Sequence, residues 1–134
     1  MGSTIDVIAI EKDGVKTIVN KKTITHDLDS IHEFVGGYFE VIPAFPDGDA
    51  KGVDLLMVLN EEGKLKSLAP TIAYVKNGQI LDFIAGNAFV TRKNGDDFGS
   101  VSDEDVVYFK HRYGNHAIVE SEGIPHHVLV FDGK

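Results

Sequence analysis

Residues 31–43 read IHEFVGGYFEVIP, with two glycines between an apolar run of helical spacing and an apolar run that ends at a proline. Upstream, Leu28, Ile31 and Val35 fall at i, i+3 and i+7, and Phe34 widens the stripe. That spacing predicts a short helix in "THDLDSIHEFVGG". Thr25 or Asp27 caps its start, and acids at 27 and 29 suit the positive end of its dipole. Gly36 or Gly37 stands where helices commonly end in the left-handed conformation. Downstream, "YFEVIP" reads as a strand stopped by Pro43. Phosphate loops run strand, glycines, helix, because free N–H groups at the helix start then meet the anion. Here the order is reversed, and the spacing fits neither G-x-G-x-x-G nor the P-loop. The glycines therefore read as a helix stop that launches a strand.

The flanking sequence is mostly strand. "STIDVIAIEKDGVKTIVNKKTIT" gives two strands around a turn at Asp13-Gly14, the first apolar on both faces. "AFPDGDAKG" is a Pro/Gly-rich loop and the expected site of mobility. "VDLLMVLN" is a central strand, "NEEGKLKSLAP" a turn at Glu62-Gly63 followed by a short extended piece. Asn-Gly pairs at 77–78 and 94–95 mark hairpins among β-branched segments. "SDEDVVYFKHRYG" predicts a second helix. Ser102 and Asp105 have capping-box spacing, acids crowd the first turn, bases the last, and Gly114 follows. Val106, Phe109 and Tyr113 form its apolar face. "NHAIVESEGIPHHVLVFDGK" reads as a final hairpin turning at "SEG". The sum is an α+β single domain over residues 1–134: one mainly antiparallel sheet of six to eight strands, two short helices packed on it, and a C-terminal hairpin extension at 114–134. The lack of a β-α-β-α rhythm disfavours a dinucleotide-type parallel sheet.

Composition narrows function. The 134 residues hold no cysteine, which excludes disulfides, thiolate metal sites and cysteine catalysis. It also makes a cytoplasmic home the simplest expectation. A net charge of −8 opposes non-specific nucleic-acid binding and suits a basic partner. No targeting segment is read at the start, and the longest apolar runs are far below a membrane span.

Candidate chemistry is sparse. The six histidines show neither H-x-H nor H-E-x-x-H spacing, so no metal site is assigned. His126 and His127 point to opposite strand faces. Ser100 and Ser102 sit at a helix start, where capping explains them. The acids at 61–62, 96–97 and 103–105 lie in turns or first turns, where solvated carboxylates are ordinary. Glu40 differs, because apolar residues flank it. With Tyr38 it forms a polar-tipped pair if both share a face, and a solvent-exposed face is the competing reading. Arg92 is the cation best placed to meet an anionic ligand, with Asn87 and Thr91 near it. Arg92 as plain surface is the alternative. No catalytic residue and no cofactor are assigned.

Val35-Gly36-Gly37-Tyr38-Phe39-Glu40-Val41 resembles the V-G-G-Y-I-E-V signature of the domain of unknown function 3846 family. "NEEGKL" at 60–65, "ILDFIAGNAFVT" at 80–91 and "FGSVSDED" at 98–105 match it in the same order, over roughly residues 5–110. Two departures stand out. The family tends to follow its proline with Asn-Arg where Pro70 precedes Thr71-Ile72, and often has Gly-Thr in place of Gly86-Asn87. The resemblance implies carriage by phages, plasmids, conjugative elements and gut bacteria, with no established catalytic residues. The resulting expectation is a non-enzymatic binding protein of a phage or mobile element. It would act in counter-defence by sequestering a nucleotide-like signal, through ligand-binding residues Tyr38, Glu40, Asn87, Thr91 and Arg92. Alternatives are an inhibitor that binds a basic host protein surface through the acids at 61–62 and 96–105, and a small enzyme using Glu40 and a histidine as acid and base. The C-terminal hairpin is of a kind that covers a sheet edge or builds an oligomer contact, which leaves a homo-oligomer open, and neither nucleic acid nor membrane is expected as a partner.

Overall fold

The computed structural model describes residues 3–48 and 50–132. The chain is α+β, mainly antiparallel, with two helices and a C-terminal hairpin. The strands differ from expectation in number and grouping: ten among the described residues, in two sheets. The first contains β1 (Thr4–Asp13), β2 (Lys16–Thr25), β3 (Phe39–Pro43), β4 (Leu55–Asn60), β7 (Ala88–Asn94) and β8 (Asp97–Gly99). Its order is β2-β1-β7-β4-β3, with β8 also on β7. The second has order β6-β5-β10-β9 and contains β5 (Pro70–Lys76), β6 (Gln79–Ala85), β9 (Asn115–Ser121) and β10 (Ile124–Asp132). All pairings are antiparallel except β10 with β5.

Two sheets form because the central strands of the first are apolar on both faces. One face of β1, β4 and β7 carries Ile8, Ile10, Met57 and Val90 into a core shared with Ile72, Leu129 and Phe131 of the second sheet and Phe109 of α2 (Asp103–Arg112). The opposite face carries Val7, Val58 and Phe89, covered by Ile31 and Val35 of α1 (Leu28–Val35). Leu28 does not join that stripe: it opens the helix and is 63% exposed. Two turns sit one residue later than expected. Asp13 pairs with Lys16 and Asn94 with Asp97, so Gly14-Val15 and Gly95-Asp96 are the central pairs. The loop after Pro43 starts in the core. Ala44 and Phe45 are buried, the Tyr113 hydroxyl donates to the Ala44 carbonyl, and the Arg112 guanidinium lies 5.2 Å from the Phe45 ring centre. Asp49 of that loop lies outside the described residues. "KLKS" is a run of turns, not an extended piece.

The opening stretch behaves as read. Asp27 caps α1, accepting from the Ser30 N–H at 2.7 Å. Gly36 ends it at φ 83°, and its N–H donates to the His32 carbonyl. The stretches that resemble the family also meet in space. The buried Asn60 amide donates to the Val35 carbonyl at 3.0 Å and accepts from the Glu62 N–H at 2.8 Å. Gly63 lies so close to the Ala85 carbonyl that a Cβ there would collide with backbone.

The sheets are tied at one seam. The Lys12 ammonium donates to the Pro70 carbonyl (3.1 Å), the Thr17 hydroxyl (3.2 Å) and the Val15 and His127 carbonyls (3.3 and 3.5 Å). Burial pushes its pKa down. Lys12→Met keeps the stem and removes these bonds; urea melts should show a loss of about 1–3 kcal/mol. Gly36→Ala should cost about 1 kcal/mol, because the left-handed cap admits a Cβ poorly while that Cβ would make only an ordinary contact, 3.8 Å from the Asn60 amide nitrogen.

Candidate functional site

The α2 entry builds a rigid corner. The Ser102 hydroxyl accepts from the Asp105 N–H, and the Asp105 carboxylate accepts from the Ser102 N–H at 2.9 Å, completing the expected capping box. The same carboxylate receives a fork from Arg92 on β7, Nε to Oδ2 at 3.1 Å and Nη2 to Oδ1 at 2.5 Å. Asp54 stands 3.9 Å from the same guanidinium. Arg92 is thus neither plain surface nor an isolated cation: it clamps helix to sheet. Burial alone would raise the Asp105 pKa, but the Arg92 fork and the Ser102 N–H outweigh it and hold the carboxyl below its usual value.

Beside this corner opens a cleft of ≈ 660 Å³, within the usual size of a small-molecule site. Arg92 and Asp105 form part of its lining. Lys51, from the 3-10 turn Ala50–Gly52, brings its ammonium to 5.3 Å from the Tyr108 ring centre on another wall. Asp103 and Glu104 contribute carboxylates, and Val107 and His111 lie further along the helix. Asp103 is tied to Lys21 at 2.9 Å. The cleft therefore offers cations, carboxylates and an aromatic ring around one space.

The five residues singled out from sequence do not converge. Arg92 lines this cleft. Thr91, its neighbour, points inward and is buried, donating its hydroxyl to the Gly99 carbonyl at 2.6 Å, which fastens β8 to β7. Asn87 accepts from the Lys12 N–H at 3.0 Å and lines a separate polar groove of ≈ 340 Å³ with Glu11, Ser30 and Glu33. Tyr38 and Glu40 are both exposed, Tyr38 edge-on to His32 with ring centres 5.5 Å apart. Register shows the separation: Arg92 lies opposite Leu55 and Glu40 opposite Leu59, four residues along β4, or about 13 Å. The acids at 61–62 and 96–97 likewise lie beyond opposite ends of β4 and do not make one surface. His126 is buried and His127 exposed, as alternation requires. Among the described residues, no group of three or more His, Asp or Glu is placed to hold a metal ion. No helix there is long and apolar enough to cross a membrane.

Sequence reasoning missed Lys51, Tyr108 and His111. Glu104, Tyr108 and His111 recur at helical spacing on the face away from Phe109, but that pattern is also what a solvated face shows. Lys51 reaches the cleft only through the fold of its loop.

A family model described as a domain of unknown function (DUF3846) matches residues 5–114. No curated protein and no solved structure matches the chain.

The clamp predicts an acid limit. Because the folded pKa of Asp105 is depressed, its stabilisation is present above the unfolded value and is lost as pH falls through the folded one. Asp105→Asn should cost about 1–3 kcal/mol at pH 7 and flatten the loss of stability below about pH 4, read from denaturant melts across pH.

Proposed function

The chain belongs to the domain of unknown function (DUF3846) family, and we propose that it is a non-enzymatic binding protein that sequesters a nucleotide-like signal in the α2 cleft. The observation that carries this reading is the mixed lining of that cleft. Arg and Lys suit phosphate oxygens, with Arg matching them in a bidentate fork. Carboxylates such as Asp103 and Glu104 suit ribose hydroxyls, as an acidic residue does in dinucleotide sites. Tyr108 supplies a ring for a base. Arg92 already spends its fork on Asp105, and Lys51 stands on the facing turn with its ammonium 5.3 Å from the Tyr108 ring centre, so the two cations approach the cleft from different walls. The acids disfavour a bare polyanion and favour a ligand that carries hydroxyls beside its phosphate.

In a phage or mobile element such a protein acts in counter-defence: it lowers the free concentration of a host signal without destroying it. That role needs tight binding and slow release rather than turnover. The basic-surface alternative loses ground because its two acidic stretches lie at opposite ends of the first sheet.

A panel of linear and cyclic nucleotides, tested by thermal shift and calorimetry on the whole chain, should yield at least one binder. A ligand at about 100 times its Kd stabilises by about 2.7 kcal/mol. Lys51→Ala, on an exposed turn, should weaken that binder about tenfold while circular dichroism shows the fold retained. Absence of any shift, with only bare protein recovered by native mass spectrometry from phage-infected cells, would sink the proposal. Conversion of the bound nucleotide would overturn its non-enzymatic part.

A further inference from the structure

Among the described residues four strands end the two sheet paths, with the three-residue β8 set beside β7, and three of the four carry features that discourage pairing with another chain. β2 bears Lys16, Lys21 and Lys22; β3 ends in Pro43; β6 has register breaks against β5. β9 has no lysine, no proline and an unbroken register with β10. It is seven residues long, and Ile118 at its centre is 61% exposed.

The hairpin fixes which backbone groups of β9 point outward. Ser121 pairs with Ile124 across the two-residue turn Glu122-Gly123, whose φ values are 52° and 78°. Residues flanking such a turn exchange both backbone hydrogen bonds, and the pattern then alternates. Ser121, Val119, Ala117 and Asn115 thus bond to β10. Glu120, Ile118 and His116 direct their N–H and C=O groups away from it. Pro125 supports the assignment: it faces Glu120, at a position where β10 needs no donor. The outward triplet has three N–H and three C=O groups, and its side chains share one face, all of them exposed.

We propose that β9 is a docking edge for a second copy of this chain, pairing antiparallel with itself about a two-fold axis at Ile118. In that register Ile118 meets the partner's Ile118, and His116 meets the partner's Glu120 twice. Every outward N–H finds a carbonyl, an apolar pair sits on the axis, and no like charges face each other. Antiparallel partners on the same face reinforce a ladder through such cross-strand pairs. The self-complementarity favours a second copy over an unrelated strand, since an isologous contact requires one patch to match itself. Pairing would join two four-stranded sheets into one of eight. The proposal is independent of what the α2 cleft binds.

Sedimentation velocity on the whole chain over a concentration series tests it. A monomer–dimer equilibrium is expected, with Kd in the micromolar range, about 1–100 µM. Ile118→Pro removes an outward donor but no bond to β10, and Ile118→Lys places a charge on the axis. Both should raise Kd at least about tenfold. Glu120→Lys should weaken the dimer, and adding His116→Glu should restore it by reversing both ends of the pair. A wild-type chain that stays monomeric throughout, or a dimer indifferent to both Ile118 variants, would overturn the proposal. Circular dichroism and melting of each variant establish that a lost dimer is not a lost fold.

Discussion

Lys12 holds an ammonium at the seam between the two sheets, and the arrangement of everything else follows from that seam. Its acceptors come from three parts of the chain: the β1–β2 turn, the start of β5 and the start of β10. The Thr17 hydroxyl and the His127 N–H add bonds across the same place, each at 2.7 Å. Withdrawing an ammonium from water is unfavourable, and burial accordingly lowers its pKa. The group persists there because four acceptors from separate parts of the chain converge on it. Bonds to acceptors on three separate parts of the chain form together only in one arrangement, so the seam favours one docking of the sheets rather than simply adding attraction.

A second constraint is the double use of Asp105. As the capping-box partner of Ser102 it fixes where α2 begins. As the acceptor of the Arg92 fork it fixes where α2 sits on the sheet. A solvated surface pair contributes little, but this carboxylate is buried and accepts three hydrogen bonds. The α2 cleft inherits its shape from that corner. One wall is a helix whose start and docking share a carboxylate; another is a short turn reached through Phe45, which is itself packed under Tyr108 and Tyr113. The cleft thus lies against elements held by their own contacts, and a space of that kind reduces what any ligand would lose in ordering it.

Much of the fold was legible because local chemistry agreed with the outcome. Asp27, Gly36, Ser102 with Asp105, and Asn77-Gly78 each carry a signal a few residues long, and each stands where that signal places it. The division into two sheets was not legible. It depends on β10 lying parallel to β5, a pairing of residues more than fifty positions apart that no turn announces. Leu28 shows the complementary limit: helical spacing names a stripe but not where a short helix overhangs its sheet. The site divides the same way. Arg92 stood out as a cation near a hairpin, yet its partner Asp105 is thirteen residues away and in another element. Tyr38, Glu40, Asn87 and Thr91 are close in sequence or chemistry but are separated by register, which is a tertiary property.

The C-terminal hairpin has a larger place than an appendage would. The family match ends at residue 114, yet β10 occupies an interior position in the second sheet, and Val128, Leu129 and Phe131 are buried. A chain that stopped at 114 would bare the β5 edge, expose Ile72 and Tyr74 from one side, and leave two of Lys12's neighbours, Pro70 and Thr17, without the strand that bridges them. The hairpin closes one edge by filling it with β10 and creates another in β9. Nothing in the packing of the core requires β9 to be free of lysine or proline, since its outward residues contact solvent. An edge strand left without such guards, with complementary residues spaced evenly about its centre, is what self-pairing requires and what the rest of this chain's edges avoid.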